Sequence, residues 1–244
     1  DSTHAFVNIS YGCANFCTYC VVPYARGEEV SRSLDEIIRE VSDLGKRGVK
    51  KVTLCGQNVN SWGLSRDVKF ILRSGGTLPS EVGEELPFTT LLKEVHAIEN
   101  IEEIDFLSSN PFDFPQDLIQ TLNLPKISNY IHIAVQSGNN DILRKMNRRH
   151  TVEEYIELIN SIKKVRPDMR FGTDVIVGFP TETREQFMDT VKLFETVKFS
   201  VAFISMYSSR KGTASEKLMK DDVSLKEKKY RHKYLSDVWK SIKG

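Results

Sequence analysis

Apolar positions along the chain fall into two rhythms. Short runs of strand length occur at Ala5 to Ser10, Lys51 to Leu54, Ile101 to Leu107, Tyr130 to Val135, Phe171 to Val177 and about Val201 to Tyr207. Between them lie stretches with the spacing of a helix buried on one side. Ser33 to Arg47 carries Leu34, Ile37, Ile38, Val41 and Leu44 and is stopped by Gly48, and Val152 to Val165 and Glu185 to Val197 repeat the pattern. Pro87-Phe88-Thr89-Thr90 opens a further helix to about Ile98, with threonines at its N-terminal cap. Strand and helix in alternation predict a mainly parallel sheet with helical crossovers, and six βα units emerge. Residues 60 to 87, with Gly63, Gly75-Gly76, Pro79 and Gly83, read as one long loop, and a loop beyond about 15 residues is usually functional or mobile. Lys226 to Lys243 reads as a terminal helix with seven Lys or Arg against Glu227 and Asp237.

Composition narrows the picture only a little. With 244 residues, 40% hydrophobic and 27% charged, the chain has an ordinary globular balance and room for one α/β barrel or two small domains. Its net charge of +1 excludes an all-basic nucleic-acid coat and makes any RNA contact regional, the terminal helix being the basic stretch. No apolar run is long enough to span a membrane and no signal-like segment stands at the start, so a cytoplasmic location is expected. Because residue 1 is Asp rather than Met and a strand begins almost at once, the chain reads as a piece of a longer protein.

The cysteines change the picture most. Cys13, Cys17 and Cys20 lie within eight residues in a chain that does not need disulfides, and thiolates so close usually hold a soft metal. Two possibilities stay open at this point. One is a zinc site with His4 as fourth ligand; the other is a [4Fe-4S] cluster with one iron left free to bind a substrate or cofactor. Cys55, alone in an apolar strand, reads as a small buried hydrophobe. In a parallel barrel the chemistry gathers where strands end, and the segments after the six strands are polar and glycine-rich: Tyr11-Gly12-Cys13, Gly56-Gln57-Asn58, Ser108-Ser109-Asn110, Gln136-Ser137-Gly138, Gly178-Phe179-Pro180 and Ser208-Ser209-Arg210.

The stretch Cys13-Ala14-Asn15-Phe16-Cys17-Thr18-Tyr19-Cys20 resembles the cluster motif of the radical SAM superfamily. Val22-Pro23-Tyr24-Ala25-Arg26-Gly27, Gly56-Gln57-Asn58-Val59-Asn60-Ser61, His132-Ile133-Ala134-Val135-Gln136-Ser137-Gly138, Met146-Asn147-Arg148, Asp174-Val175-Ile176-Val177-Gly178-Phe179-Pro180 and Tyr207-Ser208-Ser209-Arg210 extend the likeness over nearly the whole chain. They make it similar to the methylthiotransferases, most closely the MiaB type. The resemblance implies a partial (β/α)6 TIM barrel over residues 1–218, followed by a basic helix, 219–244, leading to a TRAM domain. It implies that Cys13, Cys17 and Cys20 hold a [4Fe-4S] cluster whose open iron chelates S-adenosylmethionine. Tyr19, Gly56, Gln57, Gln136, Ser137 and Gly178 would bind that cofactor, and Arg210, with Arg26 and Arg32 as further candidates, would pair a carboxylate or phosphate. A second, auxiliary [4Fe-4S] cluster is expected in an N-terminal domain outside this chain, tRNA as substrate, and flavodoxin or a similar protein as electron donor. The activity implied is 2-methylthiolation of N6-isopentenyladenosine beside the anticodon. The alternatives are threonylcarbamoyladenosine in tRNA, a ribosomal-protein aspartate or, in another class, a zinc-stabilised RNA-binding module. Four positions depart from the family pattern: Asn110 where His is common, Ala134 and Lys211 where Pro is usual, and Thr181 where Gly is usual.

Overall fold

A computed structural model describes residues 3–74, 79, 82–83 and 85–243. In chain order the elements are β1 His4–Asn8, β2 Ser10–Tyr11, α1 Val22–Arg26, β3 Val30–Ser31, α2 Leu34–Lys46, β4 Lys51–Cys55, α3 Arg66–Arg73, α4 Pro87–Ala97, β5 Glu103–Phe106, α5 Gln116–Thr121, β6 Tyr130–His132, α6 Asn140–Lys145, α7 Val152–Val165, β7 Arg170–Val177, α8 Arg184–Val197, β8 Val201–Met206, α9 Ala214–Leu218 and α10 Leu225–Ile242. The longer helices begin where their sequences say they should. Ser33 with Glu36, Thr151 with Glu154 and Thr183 with Gln186 form reciprocal capping boxes at α2, α7 and α8, each satisfying amide donors that a helix start leaves free.

Strands β1-β4-β5 form one parallel ladder and β6-β7-β8 another. Parallel bridges Ile104 to Ile127 and Ser109 to Ile133 join the two across a thin seam, so the six strands follow one another in sequence order. Among the described residues β1 pairs in this array with β4 alone and β8 with β7 alone, which leaves the barrel open between them. The expected partial (β/α)6 barrel is the fold observed. Its core lies between strands and helices: Val7, Val52, Leu54, Ile104, Ile131 and Val175 pack with Ile37, Leu91, Leu118, Ile159 and Phe194 in one continuous cluster.

The alternate residues of each strand share the other face, because strand side chains alternate sides. That inner face is polar. Lys51 pairs with Glu103 (2.7 Å) and Asp105 (2.5 Å) on the neighbouring strand. His132 joins Tyr130 (3.0 Å) to Asp174 (2.8 Å). Phe6 and Phe203, 65% and 60% exposed, are on this face as well, so the lumen is open rather than filled with packed side chains.

One expectation changes. Residues 60 to 87 are not one loop: a short 3-10 turn, Val59–Ser61, and helix α3 occupy its first part, α3 capped by Ser65, whose side chain accepts from the Val68 amide. Gly75-Gly76 lie outside the described residues. The terminal helix packs against α8, β7 and β8. Lys228 and Arg231, two of its seven basic residues, are buried there. Lys228 chelates the Asp221 carboxylate at 2.6 Å, and Arg231 reaches Glu182 (2.7 Å) and Glu227 (3.1 Å). Neither is available to phosphate. Among the described residues no helix is long and apolar enough to cross a membrane.

Breaking a buried pair from one side strands the other charge. Arg231→Ala should lower unfolding stability in a denaturant titration by about 3–5 kcal/mol, whereas Lys226→Gln and Lys229→Gln, both exposed, should each stay within roughly 0.5 kcal/mol.

Candidate functional site

The cysteine loop runs from β2 to α1 and has no ladder of its own. It is entered through Gly12, whose φ of +70° places a Cβ, were there one, on the Glu28 carbonyl, so only glycine fits. Distant parts of the chain then pin it. Glu29 accepts from the Ala14 amide (3.2 Å) and is itself paired with Lys69 of α3 at 2.6 Å, both side chains nearly excluded from water. The Thr18 amide donates to the Met146 carbonyl (3.1 Å), its hydroxyl to the Lys145 carbonyl (2.8 Å), and its own carbonyl accepts from the Ser215 amide (2.8 Å). Asn147 donates to the Phe16 carbonyl at 3.0 Å.

Held this way, Cys13, Cys17 and Cys20 line a single cavity of about 210 Å³ at the ends of the strands. A second cleft of about 340 Å³ opens beside it toward β7 and β8, and Tyr19, Cys20, Val22, Gln136 and Asp174 form the wall common to both. Two L-residues of the cysteine cavity, Ser108 and Gln136, adopt φ of +67° and +72°. Such left-handed conformations cost energy and mark places where a strand end is turned to present its neighbours. On the far side of the cavity Asn58, Asn60, Ser61, Asn110 and Asp113 form a buried hydrogen-bonded network, with Ser61 donating to the Asp113 carboxylate and the Asn110 side-chain amide to Asn58 Oδ1. Asn110, one of the departures from the family pattern, is thus built into the wall.

Burial governs the electrostatics. It pushes the Cys13 thiol up to about 11, helped by the Glu29 carboxylate, and raises Cys20 and Tyr19 as well. Protonated thiols are poor metal ligands, so loading the site must expel protons and be driven by the metal's own charge. Among the described residues no three His, Cys, Asp or Glu side chains converge on one ion position. Three thiols lining one cavity are one ligand short of a closed structural zinc site and leave one iron of a cluster open. His4 is no fourth ligand: it sits at the start of β1, bonded to Thr53 at 2.9 Å. Three polar atoms near the cavity, Asn15 Oδ1, Ser109 Oγ and Arg148 Nε, are buried without a partner, as expected where a polar group belongs.

The remaining residues singled out in the sequence divide. Tyr19 and Gln136 reach both cavities, Gln57 the cysteine cavity and Arg210 the cleft. Gly56 packs against the Ser10 side chain. Ser137 is fully buried, its hydroxyl accepting from the Asn139 amide at 3.2 Å. Gly178, at φ +69°, gives its amide to Glu182 and lies under Lys228 of α10, 2.5 Å from where a Cβ would stand. The structure brings none of these three to the cavity walls. Arg32 is bound to the Asn8 carbonyl and Glu40, and Arg26 is exposed. Asp174 and Arg148 stand in the site without having been assigned a role in it. An acid inside an apolar strand was the available sign for Asp174; nothing local distinguishes Arg148.

The sequence profile of the Radical SAM superfamily matches residues 7–194. The chain belongs to the radical SAM superfamily. Its cofactors are accordingly a [4Fe-4S] cluster and S-adenosylmethionine, and the three-thiol cavity with a contiguous cleft fits that pair. The chain is 44% identical over 240 residues to the tRNA-2-methylthio-N(6)-dimethylallyladenosine synthase of Thermosipho africanus, covering 98% of this chain and 52% of that one. It is 42% identical over 243 residues to the synthase of the same name from Acetivibrio thermocellus, covering 99% and 47%. It thus spans about half the length of these relatives. Among solved structures, coproporphyrinogen III oxidase of Escherichia coli superposes with a TM-score of 0.62 at 19% identity, over 96% of this chain and 52% of that one. Methylornithine synthase superposes with a TM-score of 0.60 at 15% identity, over 97% and 62%. At such identities the likeness concerns the fold alone.

Two outcomes follow from this geometry. Cys17→Ala should lose most of the iron and sulfide from anaerobically reconstituted protein, and Cys55→Ala, outside the cavity, should keep them; equal losses would refute the ligand set. His150, buried beside Arg148, is held down to about 3, by burial first and by the guanidinium second. Below the free imidazole value of about 6.5 the unfolded chain therefore takes up a proton that the native chain refuses, so stability present above that pH drains away as pH falls toward 3. His150→Gln should show a shallower loss of denaturation midpoint between pH 6 and pH 4.

Proposed function

We propose that this chain is the radical SAM core of a tRNA methylthiotransferase that installs a 2-methylthio group on N6-isopentenyladenosine beside the anticodon. The observation that carries the reading is identity of 44% over 98% of the chain to a synthase named for that product. Those names favour dimethylallyladenosine over threonylcarbamoyladenosine or a ribosomal-protein aspartate.

In this reading Cys13, Cys17 and Cys20 are the three protein ligands of the cluster, and the cleft beside them receives S-adenosylmethionine. When bound, the cluster supplies the electron that splits S-adenosylmethionine into methionine and a 5′-deoxyadenosyl radical. The chain's own residues do the rest by position. Tyr19 and Gln136, in the wall between cavity and cleft, hold the two cofactors in register. Asp174, fixed from behind by His132, offers an oriented acceptor at the same wall. Arg210, at the cleft's edge, supplies a guanidinium fork for a carboxylate or phosphate. Gly56, Ser137 and Gly178 serve as backbone that shapes the strand ends.

Sulfur is assigned to an auxiliary [4Fe-4S] cluster in an N-terminal domain outside these residues, and RNA grip to a TRAM domain after α10. Exposed Lys226, Lys229, Lys240 and Lys243 add a modest basic face on that helix. The reaction belongs to the cytoplasm, with a flavodoxin-like protein as electron donor.

Separating the half-reactions tests this reading. Given dithionite, the reconstituted chain should convert S-adenosylmethionine to methionine and 5′-deoxyadenosine, slowly, yet leave isopentenylated tRNA without methylthioadenosine on nucleoside chromatography. Failure to form 5′-deoxyadenosine with a full complement of iron would overturn the assignment of the cleft. Methylthiolated nucleoside at stoichiometric yield would overturn the division of labour between domains.

A further inference from the structure

Arg148 is a buried cation with an unusual set of neighbours. It follows α6 in the Met146-Asn147-Arg148 stretch, and its side chain enters the cysteine cavity from the β6 side. One terminal nitrogen, Nη1, lies 3.6 Å from Cys17 Sγ, within hydrogen-bond reach of a sulfur. The other, Nη2, donates to the Ala134 carbonyl at 2.7 Å, and the guanidinium lies over the Phe112 ring at 5.5 Å. Nε is buried with no partner. Among the described residues the polar partners of this cation are thus a sulfur and a carbonyl, and no carboxylate.

Buried guanidinium groups are ordinarily matched by a carboxylate, because an unpaired charge out of water costs several kcal/mol. Elsewhere in this chain that rule holds: Arg231 is matched by Glu182 and Glu227. At Arg148 the negative charge must come from the thiolates. Carbonyl, ring and sulfur together fix the guanidinium plane, so the donor aimed at Cys17 is set by the fold and not by a mobile side chain.

We propose that Arg148 is a positioning residue toward the cluster: it donates a charge-assisted hydrogen bond to the Cys17 thiolate ligand and thereby raises the cluster's reduction potential. Reduction by one electron adds one negative charge to the cluster and its thiolates, with the electron taken from an external reductant. A fixed cation and a hydrogen bond to a ligand sulfur stabilise the more negative state, which is how protein surroundings shift iron–sulfur potentials. The inference rests on Cys17 being a cluster ligand, and it adds what the ligand set alone does not explain: why a full positive charge is buried beside it.

The test is a redox titration of anaerobically reconstituted wild type, Arg148→Gln and Arg148→Lys, followed by electron paramagnetic resonance of the reduced cluster, with iron and sulfide counted and S-adenosylmethionine affinity measured alongside. Arg148→Gln should keep its iron and titrate at a more negative potential than wild type. Should that variant fail to load, Arg148→Lys decides. Its ammonium lacks the fork that serves Ala134 and Cys17 together, so its potential should also fall below wild type. A loaded variant with the wild-type potential overturns the inference, as does an unchanged potential with weakened S-adenosylmethionine binding, which would make Arg148 a ligand for that cofactor instead. Wild type without iron and sulfide would be a failure of the ligand assignment and is separately visible in the metal count.

Discussion

Everything at this site depends on a loop that carries three thiols and no secondary structure of its own. Its backbone groups find partners on elements far away in sequence: Glu29 and Lys69 at one end, Lys145, Met146 and Asn147 in the middle, Ser215 at the other. Buried backbone polar groups must be satisfied, and here that satisfaction is what holds the thiols side by side. The arrangement couples cofactor loading to the packing of α3, α6 and α9, so that elements with no chemistry of their own determine whether the ligands face one cavity.

A second consequence follows from the open barrel. Closed α/β barrels fill their interior with branched apolar side chains in layers. This one keeps Lys51, Asp105, Tyr130, His132 and Asp174 on the inner face, linked strand to strand by ion pairs and hydrogen bonds. The Lys51–Asp105 pair joins β4 to β5 and the His132–Asp174 bond joins β6 to β7, while between β5 and β6 backbone pairing thins to single bridges. The same polar lining leaves room above it for a cofactor, with Asp174 reaching from the lumen into the wall of the cleft.

Charge is handled differently in the two halves of the molecule. On α10, Lys228 and Arg231 are neutralised by carboxylates and clamp the helix to the barrel, their charged ends lying over the rings of Tyr207 and Phe187. In the cysteine cavity Arg148 and the raised thiols of Cys13 and Cys20 form an incomplete set. A cavity whose residues are unsatisfied in both senses, cation without anion and thiol without charge, is organised around a guest.

The order of strands and helices, the cysteine spacing and the polar strand ends were legible in the linear sequence because each is a local matter of periodicity, capping or ligand count. Boundaries shifted by up to three residues: Tyr130 to Val135 shortened to Tyr130–His132, with Ile133 and Gln136 making single bridges. Helix α3 stayed hidden because it is only two turns long and lies in sequence between Gly63 and Gly75-Gly76, which read as loop. Which strand-end residues reach the cavity was a tertiary matter. Gln57 and Gln136 face it while Gly56 and Ser137, their immediate neighbours, pack away, since backbone rotation at a turn is set by what the turn meets in space. The basic residues of α10 looked equivalent in sequence, and only packing separated buried Arg231 from exposed Lys229. Arg148 shows the limit most sharply: its type and position are written in the chain, but its meaning comes from a sulfur 131 residues away at 3.6 Å, a proximity that only the fold creates.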